Sequence, residues 1–135
     1  MRVKCKYNNV SDIRDSAVRE RLRESIQCEN LDEDLIVGNL YAVVALARWN
    51  DGGVRVYLHT VKESDFPYPY PLEMFDVVDP AIPENWNLSF VSLPGRVEVK
   101  MMGFSEWTAD NQFYEKLVDG DECAIAIYKK KSLNL

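Results

Sequence analysis

Histidine and cysteine are scarce in this chain of 135 residues, which contains one histidine, His59, and three cysteines, Cys5, Cys28 and Cys123. The cysteines are odd in number and widely spaced, and no two of them form a Cys-x-x-Cys pair, so we expect no disulfide framework. Zinc sites need several Cys or His ligands at short spacings, which this sequence does not offer. We therefore expect unreactive thiols, a cytoplasmic location, no metal and no cofactor.

Long apolar runs are also missing. The longest, Leu40 to Ala47, has the length of a strand and falls well short of the ~20 residues that cross a bilayer. The amino terminus, Met1 to Lys6, is charged but is followed by no apolar segment, so it lacks the pattern of a signal peptide. We expect no membrane partner.

Positive charge is outnumbered, since 16 Lys and Arg face 22 Asp and Glu and the net charge is −6. A nucleic-acid binder needs a cationic face that neutralises phosphates, so we expect no nucleic-acid partner. The acidity is uneven: residues 1–30 have a balance of +2 and residues 31–135 a balance of −8. From Glu63 through Gly95 there are six acidic residues and no basic one.

Catalytic motifs are absent as well. The sequence has no Gly-x-Ser-x-Gly, no P-loop and no Gly-x-Gly-x-x-Gly. A nucleophile–base pair would require His59, which lies within a predicted strand. No feature calls for an enzyme, so we expect a protein without catalytic residues. A small enzyme built around His59 is kept as the last alternative.

The composition that remains is that of a globular domain, with 47% apolar and 28% charged residues, and we expect one domain over residues 1–135. Alternation predicts a half-buried strand over residues 2–8. A helix follows, capped by Ser11 or Asp12, and Val18, Leu22 and Ile26 form its apolar stripe.

Two hairpins are predicted in the middle of the chain. Residues 50–53 (Asn-Asp-Gly-Gly) are a strong turn signal, because these residues tolerate positive φ, and they join strands over 40–49 and 54–61. Pro94-Gly95 joins a second pair over 85–92 and 96–102.

Proline at every second position from Phe66 to Pro71 predicts an extended segment that is not a central strand. Helical spacing begins after Gly103, and Gly120 is suited to end a helix. Residues 122–131 fit either a helix or a strand, and the lysines at their end favour a helix.

These elements predict an α+β fold, because strands are followed by helices instead of alternating with them. We expect an antiparallel sheet with an N-terminal helix and one or two C-terminal helices. Turns every ~8–12 residues would let such a sheet curl into a small SH3-like partial barrel.

The stretch without basic residues combines charge with aromatic side chains. Residues 63–84 interleave its six acids with Phe66, Tyr68, Tyr70 and Phe75, and a second acidic set spans residues 106–122. Tyrosine and complementary charge are typical of protein interfaces. We expect a basic protein partner to contact Asp65, Tyr68, Tyr70, Glu73, Asp76, Glu106 and Asp110. The alternative is that these acids only keep the protein soluble.

Three stretches resemble a known group of proteins, and the resemblance extends over about two-thirds of the chain. They are Leu35–Val43 (Leu-Ile-Val-Gly-Asn-Leu-Tyr-Ala-Val), Tyr68–Asp79 (Tyr-Pro-Tyr-Pro-Leu-Glu-Met-Phe-Asp-Val-Val-Asp), and Phe104-Ser105-Glu106-Trp107 with Phe113–Asp121. With these motifs the chain resembles small bacterial proteins that look like immunity proteins of contact-dependent growth-inhibition and related toxin systems. The first two motifs are also similar to SH3-like barrel modules.

The resemblance implies an inhibitor that binds a cognate toxin domain and blocks it. Nuclease toxins are commonly basic because their substrate is anionic, so an acidic partner would suit one. The alternative is an SH3-like module that binds an extended peptide through aromatic residues and has no toxin partner.

Overall fold

The computed structural model describes residues 1–132, which contain seven strands and four helices. The strands are β1 (Arg2–Cys5), β2 (Leu40–Arg48), β3 (Val54–Leu58), β4 (Tyr68–Pro71), β5 (Phe75–Asp79), β6 (Trp86–Leu93) and β7 (Arg96–Phe104). The helices are α1 (Ser16–Ser25), α2 (Ser105–Thr108), α3 (Phe113–Val118) and α4 (Glu122–Ser132). Single 3₁₀ turns occupy Val10–Asp12 and Leu72–Met74.

All strands join one antiparallel open sheet that forks at β2. One edge of β2 pairs with β3, which in turn pairs with β4. The other edge is shared: β1 pairs with residues 40–42 and β7 with residues 45–47. Beyond the fork, β1 pairs with β5 and β7 with β6. The α+β prediction is confirmed, and the forked sheet is consistent with a partial barrel.

The sheet separates two cores. The first is covered by α1 and the second by α2, α3 and α4, and we call them the α1 core and the helical core. Leu22 of α1 belongs to the α1 core together with Val43 and Val56, whereas Tyr57 contacts Trp107 in the helical core. Both faces of β2 and β3 are covered. This explains why the sequence of β2 is almost continuously apolar and does not alternate with polar residues.

The N-terminal helix begins later than predicted. Asp15 caps it, since its Oδ1 accepts hydrogen bonds from the N–H groups of Ala17 (2.9 Å) and Val18 (3.2 Å). The predicted caps, Ser11 and Asp12, instead lie in the 3₁₀ turn, whose own cap is Asn9. Local side chain-to-backbone bonds thus form two consecutive turns where the sequence pattern predicted one helix.

Both predicted hairpins are confirmed. Gly52 (φ 83°) and Gly95 (φ 75°) adopt the left-handed backbone that these turns require. The return strand of the first hairpin ends at Leu58, three residues earlier than predicted.

The proline-rich segment forms β4, an edge strand paired only with β3 among the described strands. This confirms its predicted place away from the centre of the sheet, since an edge strand tolerates missing N–H donors. Residues 122–132 form the helix α4, which settles that ambiguity in favour of a helix. Over residues 1–132, no helix combines the length and the apolar character needed to cross a membrane.

Candidate functional site

The seven residues predicted to contact a partner lie on different sides of the sheet. Asp65, Glu106 and Asp110 belong to the helical side, where the first two pair with lysines of α4. Tyr68 packs against the α1 core, and Glu73 pairs with Arg21 of α1. Asp76 lies on β5, another edge strand. The fold therefore does not gather the seven into one surface.

Tyr70 is buried, with 3% of its surface exposed, and its hydroxyl lies 2.7 Å from the hydroxyl oxygen of Thr60. Burial raises the pKa of this phenol above its usual range, so the group stays protonated. Tyr70 belongs to the α1 core, and we leave it out of the binding surface proposed below.

Each acid in the predicted set has a basic partner from elsewhere in the chain. The ion pairs are Asp65–Lys129 (3.2 Å), Glu73–Arg21, Asp76–Lys6 (3.3 Å), Glu106–Lys131 (3.5 Å) and Asp110–Lys116 (2.8 Å). Folding therefore places Lys and Arg side chains from other segments beside the acids of the stretch from Glu63 to Gly95, which has no basic residue of its own. Near the helices, further exposed acids are Glu115 of α3, Asp119 and Asp121 between α3 and α4, and Glu122 at the start of α4.

A cleft of about 280 Å³ opens on the helical side, between the end of β2, the middle of β7 and the segment that joins α2 to α3. Its walls are aromatic and come from four elements. They are Trp49 just after β2, Tyr57 of β3, Trp107 of α2 and Tyr114 of α3.

The aromatic walls pack against one another as well as lining the cleft. Trp107 and Tyr114 are stacked, with centroids 5.9 Å apart and planes at 12°. Tyr57 meets both edge-on, at 5.0 and 5.1 Å. Because Tyr57 and Trp107 are 7% and 4% exposed, the ring surface that a ligand could reach belongs to the half-buried Trp49 and Tyr114.

The phenols of the cleft remain neutral at physiological pH. Burial, with help from the neighbouring phenol of Tyr68, raises the pKa of Tyr114 to about 12. Burial also raises the pKa of Tyr57, and the nearby phenol of Tyr114 and the negative charge of Glu115 act in the same direction. The Tyr114 hydroxyl donates to the carbonyl of Pro67 at 2.8 Å, which holds α3 against the segment before β4.

The rim of the cleft is divided by charge. Asp110 and Glu115 lie on its helical side, whereas Arg48 and Lys100 lie on its strand side. Hydrogen bonds from Lys116 and from the N–H of Gln112 lower the pKa of Asp110, which keeps its carboxylate ionised.

A buried ionic network packs against Trp49, one of the aromatic walls of the cleft. Arg55 is 2% exposed, and its Nη2 donates to Asp51 at 2.9 Å and to the hydroxyl of Ser25 in α1 at 3.1 Å. Its guanidinium carbon lies 5.2 Å from the Trp49 ring centroid, within the range of a cation–π contact. Through these contacts Arg55 connects the first hairpin to α1 and to the wall of the cleft.

His59 lies outside this cleft and is exposed just after β3. Its ring stacks on Tyr128 of α4, with Nδ1 3.0 Å from the phenol oxygen. Within residues 1–132, no group of three or more His, Cys, Asp or Glu side chains is placed to hold a metal ion. The three cysteines are free thiols, of which Cys5 is buried.

Sequence reasoning identified Asp110 and the acidic set around it but not the cleft itself. Trp49 and Tyr114 are 65 positions apart, and only the pairing of β2 with β7 places α2 and α3 above the end of β2. Comparison of the chain with protein-family models, curated proteins and solved structures gave no match.

Proposed function

We propose that this protein is an immunity-type inhibitor that acts in the cytoplasm by binding and neutralising a cognate toxin domain. The observation that carries the proposal is the cleft on the helical side, where aromatic walls meet the carboxylates of Asp110 and Glu115. The resemblance of three sequence stretches to immunity proteins supplies the class of partner.

The cleft is suited to a lysine or arginine side chain of the partner. The aliphatic stem would pack on Trp49 and Tyr114, while the cation would lie near the ring faces and the carboxylates of the rim. Arginine in an aromatic-lined pocket is a common anchor of protein interfaces. Arg48 and Lys100 on the strand side of the rim would accept an acidic neighbour of that anchor.

The surface next to the cleft supports a basic partner. The exposed acids of α3 and of the start of α4 carry negative charge beyond the rim. Such a field increases the rate at which a basic protein associates. A nuclease toxin fits this description, because its own site must attract an anionic substrate.

The second candidate is an SH3-like module that binds extended peptides. Such modules present several exposed rings along a shallow groove. Here two of the four rings in the cleft, Tyr57 and Trp107, are almost wholly buried. This favours an inhibitor anchored by one side chain over a module that reads a proline-rich peptide.

The test is co-expression of this chain with the product of the adjacent upstream gene, followed by binding kinetics on the purified complex. In the variant Glu115→Lys we expect slower association, an affinity at least about tenfold weaker and a smaller dependence on salt. The matched control is Glu84→Lys, which makes the same change of charge at an exposed position between β5 and β6, away from the cleft. We expect it to retain most of the affinity.

Two results would overturn the proposal. The first is the absence of any complex with a basic toxin domain, and binding of a proline-rich peptide in its place would establish the adaptor alternative. The second is an equal loss of affinity in Glu115→Lys and Glu84→Lys, which would leave only a general charge effect and move the interface away from the cleft.

A further inference from the structure

The cleft on the helical side has two carboxylates on its rim, and they differ in the partners that they already have. Both oxygens of Asp110 are occupied, because Oδ1 accepts from the N–H of Gln112 at 2.9 Å and Oδ2 accepts from Lys116 at 2.8 Å. Glu115 is exposed, and within residues 1–132 its side chain forms no ion pair or hydrogen bond. Glu115 is therefore the carboxylate that can receive a cation without losing an existing partner.

The negative charge of Glu115 acts inside the cleft as well as on the solvent outside it. It contributes to the raised pKa of the Tyr57 phenol, whose ring is one of the buried walls and is 7% exposed. Charges have such an effect only at short range and where water screens them incompletely. A cation that enters the cleft is attracted by the same charge.

The accessible part of the aromatic wall suits a flat group. Tyr114 stacks on Trp107 at 5.9 Å, and its hydroxyl is fixed by the carbonyl of Pro67. Trp49 contacts the guanidinium of Arg55, whose Cζ lies 5.2 Å from the ring centroid. Both rings are thus held in place before a ligand arrives, so a planar group can stack on them with little loss of side-chain freedom.

Arginine fits these surroundings better than lysine. Its guanidinium is planar and stacks on aromatic rings, and its fork of N–H donors matches both oxygens of one carboxylate. The ammonium of lysine is a strongly hydrated point charge that cannot stack. Arg48 and Lys100 on the strand side of the rim repel a cation and so favour its position beside Glu115.

We propose that the cleft is a binding site for arginine, in which the guanidinium stacks on Trp49 and Tyr114 and pairs with both oxygens of Glu115. The inference rests on the proposed function only for the source of this arginine, which is the toxin domain. It assigns recognition of the cation to Glu115, whereas Asp110 keeps its partners within the chain. Affinity for an isolated arginine side chain is a property of this chain alone and can be measured without a toxin.

The test is a titration of the isotope-labelled full chain with N-acetyl-arginine methylamide, followed by the NMR signals of the tryptophan indole N–H groups. The Trp49 signal is assigned from the spectrum of Trp49→Phe, and Trp86 in the α1 core is the internal control. We expect the Trp49 signal to shift with a Kd in the millimolar range and the Trp86 signal to stay unchanged. N-acetyl-lysine methylamide, which has the same charge, should bind at least about fivefold more weakly.

Two variants distinguish the carboxylates. Glu115→Gln retains the shape of the side chain and should weaken binding of the arginine compound at least about fivefold, because the guanidinium loses its ionised acceptor. Asp110→Asn should weaken it less than about twofold. The matched control is Glu84→Gln, which removes one charge at an exposed position away from the cleft and should leave the Kd unchanged. Circular dichroism should verify that each variant is folded.

The outcomes separate this inference from the proposed function. Equal affinity for the two compounds, no shift of the Trp49 signal at about 50 mM, or equal losses in Glu115→Gln and Asp110→Asn would each overturn the arginine site, whether or not a toxin complex forms. Selective binding of the arginine compound that depends on Glu115 would support the site in the absence of any toxin complex, and only the proposed function would then fail.

Discussion

At the scale of single residues, the buried guanidinium of Arg55 explains how a charged side chain can lie at the junction of two elements. The carboxylate of Asp51, itself 8% exposed, accepts from Arg55 at 2.9 Å and from the Ser25 hydroxyl at 2.8 Å. Burial alone would raise the pKa of Asp51, but the hydrogen bonds from Arg55, Gly53 and Ser25 outweigh it and lower the pKa to about 2. The folded state therefore favours the ionised carboxylate.

Replacement of this carboxylate should be costly. In Asp51→Asn we expect the free energy of unfolding at neutral pH to fall by about 3 kcal/mol, because Arg55 is left as a buried charge without its counter-ion. The difference in the free energy of unfolding between wild type and variant should narrow as the pH falls from 3.8 towards 2. The ionised Asp51 stabilises the folded state at pH values above its unfolded pKa, and this stabilisation is lost as Asp51 becomes protonated. Urea unfolding between pH 7 and pH 2 measures both effects.

The control for that experiment is Asp76→Asn, which removes an exposed ion pair to Lys6 whose side chains are 60% and 41% accessible. Exposed pairs contribute no more than about 1 kcal/mol. A loss in Asp51→Asn as small as in this control would mean that Arg55 does not depend on Asp51.

At the scale of elements, local signals were predictable where a few neighbouring residues decide the backbone. The turn at Asn50–Gly53 and the turn at Pro94-Gly95 form as predicted, because glycine there adopts positive φ at little cost. The start of α1 was not predictable in the same way. Asn9, Ser11, Asp12 and Asp15 can all cap a turn, and the structure contains two turns in succession.

Alanine substitution of the two candidate cap residues, Asp15 and Asp12, should have different effects on the free energy of unfolding. Asp15→Ala should lower the free energy of unfolding by about 1 kcal/mol, because the N–H groups of Ala17 and Val18 lose their acceptor. Asp12→Ala, in the cap position that the sequence pattern favoured, should change it by less than about 0.5 kcal/mol. Thermal unfolding of the two variants decides the point, and a larger loss in Asp12→Ala would place the helix start where the pattern put it.

At the scale of the whole molecule, one sheet supports two cores, so the two should unfold together. Trp86 belongs to the α1 core and Trp107 to the helical core, and the third tryptophan is Trp49. The double variant Trp49→Phe/Trp107→Phe keeps Trp86 as the fluorescent probe, and Trp49→Phe/Trp86→Phe keeps Trp107. In each variant we expect the fluorescence and far-ultraviolet circular dichroism transitions in urea to coincide.

That experiment compares two probes within each variant, so a general loss of stability caused by the substitutions does not affect it. Fluorescence that changes before the circular dichroism in either variant would show that one core opens alone. The chain would then behave as two units instead of the one domain expected from its length.

Local features of the sequence were sufficient to predict the α+β class, the two hairpins and the exclusion of the proline-rich segment from the centre of the sheet. These features depend on residues close together in the chain, namely the prolines, the turn glycines and the alternation of apolar side chains. The uneven acidity was equally visible, but its meaning was not, because the cations that neutralise Asp65, Glu73 and Asp76 come from distant segments.

Which residues share a surface depends on the tertiary structure. Pairing of β2 with β7 brings Trp49 to Tyr114 and forms the cleft, whereas packing on the α1 core removes Tyr70 from any interface. The physical reason is that side-chain proximity follows from strand pairing across long stretches of chain, which no local preference of the backbone encodes.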